Sequence, residues 1–532
     1  MEEKEILNSN QFIKMDLDSY EGTEPYIFIS YSHADTKTVY KILKLIDREK
    51  YRFWYDDTME IGEDFREELR SRIENCSAVL LFLSESALKS KYCGMEIITA
   101  FKYNKKIYPV YLDDDIEIPA SLKMVLENLQ HVKGINTSTD KYLYKLISGL
   151  PIETMKSLEV EGDVLVKCKD GSASLSAPSG VKIIGESAFK NCEKLEKLDF
   201  GDEVEVLQKE ACRGCKSLKS LVLPKNVRKV GESSFRDCIS MTSLVVENEE
   251  LELGERAFEN CANLSSVTLQ DGMTEIYGGV FNSCKSLVSI KLPEKLTILG
   301  ESSFADCAKL KAIDIPINVT KIDDMVFNGC VELEDIDMKN NITKIGKNAF
   351  KDCKSLKKIH IPQSVISIGS GPFRGCNNLE EISVDSKNKW FKSLNNILFN
   401  KNKSTLICYP SQIEGDVYSI PDSVTVISDW AFCECLKLTK IIIPDSVCEI
   451  GEGAFYSCTG LTEIVLPDSV TKIDDTAFRG CSSLKTVVIP DSVLEFGWGL
   501  FNGCDDVTVI CNDNSAAAKY CEVKNVPHRN KL

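Results

Sequence analysis

Residues 477–499 read AFRGCSSLKTVVIPDSVLEFGWG, and variants of this stretch recur along most of the 532-residue chain. Cysteines mark the recurrence, because 13 of the 22 cysteines fall on two runs with a constant spacing of 23 residues. Phe stands three residues before each of them except at Cys212, and Leu stands three residues after each except at Met241 and Val507. The two runs are Cys192, Cys215, Cys238, Cys261, Cys284, Cys307, Cys330, Cys353 and Cys376, then Cys435, Cys458, Cys481 and Cys504.

Each repeat contains a short strand followed by a turn. The segment LKTVVI (484–489) has the pattern of a strand, and Pro490 ends it because proline lacks the N–H that a strand needs. A unit this small cannot bury its own Phe, Leu and Ile, so stacked units must share one core. The sequence therefore predicts a solenoid of 23-residue repeats over 161–512, closed by a cap over 513–532 with a final strand and a short helix.

The cysteines of this spacing have two interpretations. Metal sites or disulfides would need paired thiols, yet 13 is an odd number. The alternative is one small buried thiol per repeat, stacked on its neighbours, which is how most free cysteines behave. We favour packing, and we predict no metal site, because the four histidines (His33, His131, His360 and His528) show no metal-ligand spacing.

An interruption over 382–430 breaks the period. Cys376 and Cys435 are 59 residues apart, which is two repeats plus 13 residues. The stretch WFKSLNNILFNKNKSTLICYP (390–410) predicts a β-hairpin with its turn at Asn-Lys-Asn-Lys. It is either a binding feature inserted into the solenoid or a structural elaboration of two repeats.

The spacing AFxxCxxLxxIxIPxSVxxI, which runs over residues 158–512, resembles the BspA-like class of leucine-rich repeats. That resemblance implies recognition of a protein or glycan ligand, often in adhesion at a cell surface. The N-terminus is acidic and lacks the apolar core of a signal peptide, so we expect a cytoplasmic protein with reduced thiols rather than a secreted adhesin.

The first 150 residues follow a different pattern, in which apolar strands alternate with amphipathic helices. Predicted strands are YIFIS, YRFWY, AVLLFL, KIYPVYL and HVKGI (131–135), and the predicted helices between and after them end with DKYLYKLISGL (140–150). This alternation predicts an α/β flavodoxin-like parallel sheet over 25–150, after an extension over 1–24 and before a linker over 151–160. Neither a GxGxxG nor a GxxxxGK[ST] stretch occurs, which excludes a standard dinucleotide fold and a P-loop NTPase.

Charge and hydropathy exclude further classes of function. The net charge is −17, whereas nucleic acids and anionic membranes are bound by clustered Lys and Arg. No apolar run approaches the roughly 20 residues that span a bilayer. We therefore expect neither nucleic acid nor membrane among the partners.

Five stretches in order, FISYSHAD, FWYDD, IGEDF, LLFLSESALKSKYCGMEI and IYPVYL, resemble the TIR (Toll/interleukin receptor) family. The resemblance implies self-association, often through the loop at 56–64, and in some members cleavage of NAD+. Glu96 falls on the catalytic glutamate of those members, and Tyr92 stands where they commonly have Trp. The further substrate-binding candidates are Tyr31, Ser32, Gly62 and Phe65.

One carboxylate is sufficient for this chemistry. Nicotinamide in NAD+ is cationic and leaves as a neutral amide, so the reaction needs no general acid. A positioned Glu can bind the ribose hydroxyls and stabilise the oxocarbenium-like centre, as carboxylates do in glycoside hydrolysis. The expected enzyme is an NAD+ nucleosidase without a cofactor, yielding ADP-ribose or a cyclic variant.

Other interpretations of these residues remain open. One alternative interprets Glu96 as a charge near a helix start that faces the helix dipole, and another interprets the domain as an adaptor that only binds other TIR domains. Phe65 fits a helix core as well as a ligand site. We interpret Trp54 and Cys93 as packing residues.

Overall fold

A computed structural model of the protein describes residues 17, 19–22, 25–48, 51–56, 63–113, 116–126, 146, 150, 158–168, 173–178 and 180–531. The chain divides into two compact units, Met1–Glu159 and Val160–Leu532. Within the described ranges, no helix is both long and apolar enough to cross a membrane.

The first unit is a parallel sheet flanked by helices. The strands are β1 (Ile27–Ser30), β2 (Phe53–Tyr55), β3 (Ala78–Leu83) and β4 (Lys106–Tyr111), and the helices are α1 (Thr36–Arg48), α2 (Glu63–Asn75), α3 (Glu85–Lys89), α4 (Lys91–Lys102) and α5 (Ala120–Leu126). Their order, β2-β1-β3-β4 with all pairs parallel, is that of a flavodoxin-like sheet. The predicted strand at 131–135 lies outside the described residues, as does the predicted helix at 140–150 apart from Leu146 and Leu150.

Side-chain alternation along β1 divides the core of this unit in two. Ile27 and Ile29 pack on the side of the sheet that α1 covers, where Val39, Ile42, Leu43 and Ile46 are buried as their spacing predicts. Phe28 faces the opposite side with residues of α2, α4 and α5. β3 is buried along its whole length, as expected for a central strand of a parallel sheet.

The second unit is the predicted solenoid, and most repeats form one coil with two short strands. The strands that follow the conserved Leu positions of the repeat form one face: β7 (Ser174–Ser176), β9 (Lys197–Asp199), β11 (Ser220–Leu223), β13 (Ser243–Val246), β15 (Ser266–Thr268), β18 (Ala312–Asp314), β20 (Asp335–Asp337), β22 (Lys358–Ile361), β24 (Glu381–Val384), β28 (Val417–Ser419), β30 (Lys440–Ile442), β32 (Glu463–Val465), β34 (Thr486–Val488) and β36 (Thr508–Ile510).

A second face consists of shorter strands from the end of each coil. After β5 (Leu158–Glu161) and β6 (Val164–Cys168) these are β8 (Ile183–Ile184), β10 (Val206–Leu207), β12 (Lys229–Val230), β14 (Glu252–Leu253), β16 (Glu275–Ile276), β17 (Ile298–Leu299), β19 (Lys321–Ile322), β21 (Lys344–Ile345), β23 (Ser367–Ile368), β29 (Val426–Ile427), β31 (Glu449–Ile450), β33 (Lys472–Ile473) and β35 (Glu495–Phe496). Pairs between neighbouring regular repeats are parallel and in register at 23 residues, as for Lys229 with Glu252.

Stacked aromatic rings form the core of the solenoid. Phe304 is fully buried, and its ring centroid lies 5.6 Å from that of Phe281 and 6.0 Å from that of Phe327. The thiols lie beside the rings. From Cys215 onward, each thiol of the 23-residue runs donates to the carbonyl 26 residues before it, in the preceding coil, as Cys261 Sγ does to Phe235 O at 3.2 Å. All described cysteines are free thiols, and those of the 23-residue runs are buried apart from the half-buried Cys192. The packing interpretation of the cysteines is confirmed.

The interruption contains one strand more than the predicted hairpin. β25 (Phe391–Leu394), β26 (Ile397–Asn400) and β27 (Thr405–Cys408) pair antiparallel in order, and β27 then pairs parallel with β29 of the solenoid. The turn between β25 and β26 is Asn395-Asn396, both with positive φ, as a two-residue hairpin turn requires.

A repeat that lacks the usual Phe and Cys follows this three-stranded segment. Tyr409 takes the place of Phe, since its ring stacks on Phe432 at 5.2 Å and its carbonyl accepts from Cys435 Sγ. Tyr409 precedes Phe432 by 23 residues and follows Phe373 by 36, so all 13 additional residues lie before Tyr409. The two repeats therefore continue through the interruption, as the elaboration hypothesis states.

The C-terminal cap matches the prediction of a strand and a short helix. Helix α6 (Ala516–Lys524) begins after Ser515, whose side chain accepts the Ala518 N–H, and its Tyr520 ring stacks on Phe496 at 5.0 Å. β37 (His528–Arg529) pairs with β36. The cap thereby covers the apolar edge that the last coil would leave open.

Replacing Phe304 with Ala should destabilise the solenoid by about 3–5 kcal/mol, because the cavity it leaves lies between two neighbouring rings. Chemical denaturation followed by circular dichroism measures this loss as a lower midpoint. Ile317→Ala is the matched control, since Ile317 is 60% exposed and should shift stability by no more than about 0.5 kcal/mol. Equal losses of stability from both substitutions would contradict a stabilising role for the stacked rings.

Candidate active site

Glu96 lies in the second turn of α4. The helix begins at Lys91 behind Ser90, whose Oγ accepts the Cys93 N–H at 3.3 Å, and no acidic residue falls in its first turn. The dipole acts mainly on groups within the first turn. The interpretation of Glu96 as a dipole-facing charge at the helix start is therefore wrong, and it failed because α4 begins earlier than the apolar pattern of EIITAF indicated.

The Glu96 carboxylate contacts the end of the first strand instead. Ser30 Oγ donates a hydrogen bond to Glu96 Oε2 at 2.5 Å. Ser30 is the last residue of β1, is 1% exposed, and lies on the same side of the sheet as Phe28. The pair sits at the carboxyl ends of the strands, where β1 and β3 are neighbours in the sheet. This is the switch point at which open α/β sheets bind their ligands.

Burial dominates the electrostatics of Glu96. The pKa of its carboxyl is raised to about 8, mainly by loss of solvent; the hydrogen bond from Ser30 acts in the lowering direction and the charge of Asp56 in the raising direction. The free site at neutral pH thus holds a carboxyl that is mostly protonated. A cation bound beside it would favour the carboxylate, because an opposite charge stabilises the ionised form.

A cavity of about 240 Å³ opens beside Glu96 between α2 and α4. Leu69 and Ile73 are its buried apolar residues, and half-buried Glu96 faces it from α4. The remaining lining residues are Arg66, Glu67 and Arg70 from α2 and Tyr92, Met95 and Thr99 from α4.

The structure brings only some of the candidate residues to this cavity. Tyr92 lines it one helical turn before Glu96, and Ser32 is half-buried just beyond β1. Tyr31 packs on the α1 side of the sheet, away from Glu96, and its hydroxyl donates to the Asp56 carbonyl at 3.1 Å. Gly62 lies outside the described residues, and Phe65 is in α2 with its side chain outside the described part.

Trp54 and Cys93 are packing residues, as predicted. Trp54 is 4% exposed and stacks on Phe28 with ring centroids 5.1 Å apart. Burial and the neighbouring Glu96 raise the pKa of the Cys93 thiol to about 12, so it carries no thiolate at neutral pH. Cys93 is therefore unsuited to act as a nucleophile.

Sequence reasoning missed Ser30. The signal was present, because Ser30 is the one polar residue in the apolar strand IFIS and shares its face with Phe28. Its partner on α4 lies 66 residues away, and only the sheet order brings the two together.

Models of two known protein families match the two units of the chain. The model of the BspA-type leucine-rich repeat region matches residues 166–288, 274–407 and 408–520. The chain belongs to the BspA-type leucine-rich repeat family. A TIR domain model matches residues 27–147, so the repeats of this family member follow an N-terminal TIR domain. No curated protein matches the chain.

Solved structures similar to the chain are leucine-rich repeat proteins. A leucine-rich cell surface protein from Faecalibacterium prausnitzii is 22% identical with a TM-score of 0.49, and the match covers 72% of this chain and 100% of that one. A leucine-rich repeat protein from Bacteroides ovatus is 28% identical with a TM-score of 0.43, covering 71% and 91% respectively.

Glu96→Gln should stabilise the TIR domain, and more at pH 8 than at pH 5. The folded-state pKa of about 8 exceeds the ordinary value of 4.5, so the wild-type domain binds the extra proton and loses stability as pH rises between these values. Gln does not ionise, so the Glu96→Gln domain does not lose stability in this way as pH rises. Hydrogen-exchange protection of β1 and α4, corrected for intrinsic rates, measures the difference.

Glu67→Gln is the matched control for this measurement, because it removes the same charge from an exposed position on the rim of the cavity. We expect Glu67→Gln to keep the loss of protection between pH 5 and pH 8 that the wild type shows, because Glu96 is still present. If Glu96→Gln lost protection equally at both pH values, Glu96 would be a structural hydrogen-bond partner with no burial cost.

Proposed function

We propose that the TIR domain is an NAD+ nucleosidase that cleaves the nicotinamide–ribose bond, with Glu96 as its catalytic carboxylate. The observation that carries this proposal is the half-buried Glu96 carboxyl, held by Ser30 at the switch point of the sheet and open to a cavity. Membership of the TIR family adds support, since some of its members cleave NAD+.

This reaction requires one main contribution from the protein, an anionic group placed beside the ribose. As the bond breaks, its electrons go to nicotinamide, which leaves neutral, and positive charge develops on the ribose. Ionised Glu96 stabilises that charge in a low-dielectric site, where electrostatic interactions are stronger than in water. Water then attacks the anomeric carbon to give ADP-ribose and a proton; attack by the substrate's own adenine would give a cyclic product instead.

Protonation of Glu96 supplies a simple control of this step. The free carboxyl resists ionisation because it is buried, whereas the cationic nicotinamide ring would lower its pKa on binding. Ser30 then acts as a positioning residue, because its O–H donates to the oxygen that must stay ionised. Substrate binding and activation of the carboxylate are coupled by this charge pairing.

The solenoid is proposed to regulate the enzyme by recognising a protein or glycan, in a cytoplasmic defence or signalling role. Its coils present an extended surface suited to such partners. Binding would bring TIR domains together, and their self-association would complete the active state. The loop at 56–64 that the family resemblance assigns to self-association falls mostly outside the described residues.

A non-enzymatic adaptor is the second candidate. The observation in its favour is that Glu96 already has a hydrogen-bond partner within the fold, as a purely structural residue would. Tyr92, which offers less stacking area than a Trp, lines the cavity. In this case Gly62→Arg in the loop would abolish signalling, whereas Glu96→Gln would leave it intact.

Glu96→Gln should reduce NAD+ cleavage by at least about 100-fold, the usual effect of losing one electrostatic stabiliser. The assay follows nicotinamide release by the full chain, both dilute and densely attached to a surface, and chromatography separates linear from cyclic product. Intact NAD+ with clustered wild-type protein would overturn the enzymatic proposal in favour of the adaptor.

The pH dependence tests the role of Ser30. Because the ionised form acts, kcat/KM should rise about tenfold per pH unit below about 8 and level off above it. Ser30→Ala removes a donor that favours the carboxylate, so its midpoint should move to higher pH with activity partly recovered there. A loss of equal size at every pH would assign Ser30 to folding alone.

A further inference from the structure

The cavity between α2 and α4 has a carboxyl group inside it and two basic side chains at its rim. Glu96 and the apolar side chains of Leu69 and Ile73 lie inside it. Arg66 and Arg70 lie on its exposed rim, four residues apart and so on one face of α2. Such an arrangement fits a ligand with a cationic end that enters and an anionic part that remains outside.

The two arginines differ in their availability. Arg70 Nε donates to the Tyr103 hydroxyl at 2.9 Å, and its guanidinium lies 5.9 Å from the centre of that ring. Arg66 makes no hydrogen bond or ion pair with any residue in the part of the chain that the structure describes. Arg66 therefore keeps its whole guanidinium for a ligand.

The size of the cavity decides which part of a dinucleotide can enter. At about 240 Å³ it is smaller than the roughly 300–1,000 Å³ typical of small-molecule sites. When the nicotinamide riboside end reaches Glu96, the diphosphate must stay at the rim. A guanidinium is well suited to meet it there, because its planar fork matches the oxygens of a phosphate.

We infer that Arg66 binds the diphosphate of the dinucleotide, and that it directs the nicotinamide end of the substrate toward Glu96. This inference rests on the proposed NAD+ cleavage and adds a specificity to it. The enzyme distinguishes NAD+ from nicotinamide riboside, which has the same scissile bond but no phosphate. Glu67, the acidic residue on the same rim, opposes the diphosphate and limits its affinity.

Binding of NAD+ to the full-length Glu96→Gln protein, measured by calorimetry, tests Arg66 without any turnover. Adding Arg66→Ala should weaken binding about ten- to hundredfold, the range expected for a lost charge-assisted hydrogen bond. Arg66→Lys should recover part of the affinity, and Glu67→Gln should strengthen it. Lys91→Ala is the control, because it removes one positive charge at the start of α4 without touching the cavity, and its affinity should equal that of the parent.

Cleavage kinetics in the wild-type background separate recognition from folding. Arg66→Ala should raise KM for NAD+ while leaving kcat/KM for nicotinamide riboside unchanged. Equal losses on both substrates, unchanged NAD+ affinity, or no NAD+ binding by the Glu96→Gln protein would each overturn the role of Arg66. If NAD+ binds through Arg66 but is not cleaved by the wild-type protein, the nucleosidase proposal fails while the binding site stands.

Discussion

A single 23-residue coil cannot bury its own aromatic ring, and the second unit is organised around this constraint. Most Phe rings stack on the rings of neighbouring coils, at centroid distances such as 5.3 Å between Phe235 and Phe258. From Cys215 onward, the thiol in each regular coil adds a contact by donating to a carbonyl of the preceding coil, and this carbonyl also accepts a backbone N–H within its own coil, as Phe235 O does from Cys238 N. Stability therefore comes from neighbours rather than from any one repeat.

The same constraint explains how the solenoid accommodates 13 additional residues. Parallel pairing in register leaves no room for a coil of different length, so the extra chain forms its own antiparallel strands and rejoins through β27. Across the interruption, the guanidinium of Arg374 lies 3.4 Å from the centre of the Trp430 ring. The Trp430 ring also contacts the ring of Tyr456. Trp430 has a φ of 59°, a positive value that the same position of other coils shares, as at Ser302 (55°) and Thr476 (54°), so the repeat imposes this conformation even on a bulky residue.

Periodic features of the fold were predictable from the sequence, and features that depend on distant pairs were not. The 23-residue spacing, the buried thiols and the strands from Ile27 to Tyr111 follow from local patterns that the structure confirms. The repeat beginning at Tyr409 escaped notice, because Tyr and Gln412 replace the Phe and Cys that mark the others. Helix α3 was missed because it has only five residues, too few for a period to show.

The candidate site shows the same limit. The resemblance to the TIR family located Glu96 and Tyr92, yet the sequence pattern placed the carboxylate at a helix start and overlooked Ser30. Nothing in the packing of α4 requires an acid at this position, because an apolar side chain would avoid the burial that raises the pKa of Glu96. A half-buried carboxyl beside a cavity, with one donor aimed at it and arginines at the rim, is an arrangement completed by a cation bound inside and an anion bound outside. A dinucleotide with a cationic base and an anionic diphosphate supplies both charges in one molecule.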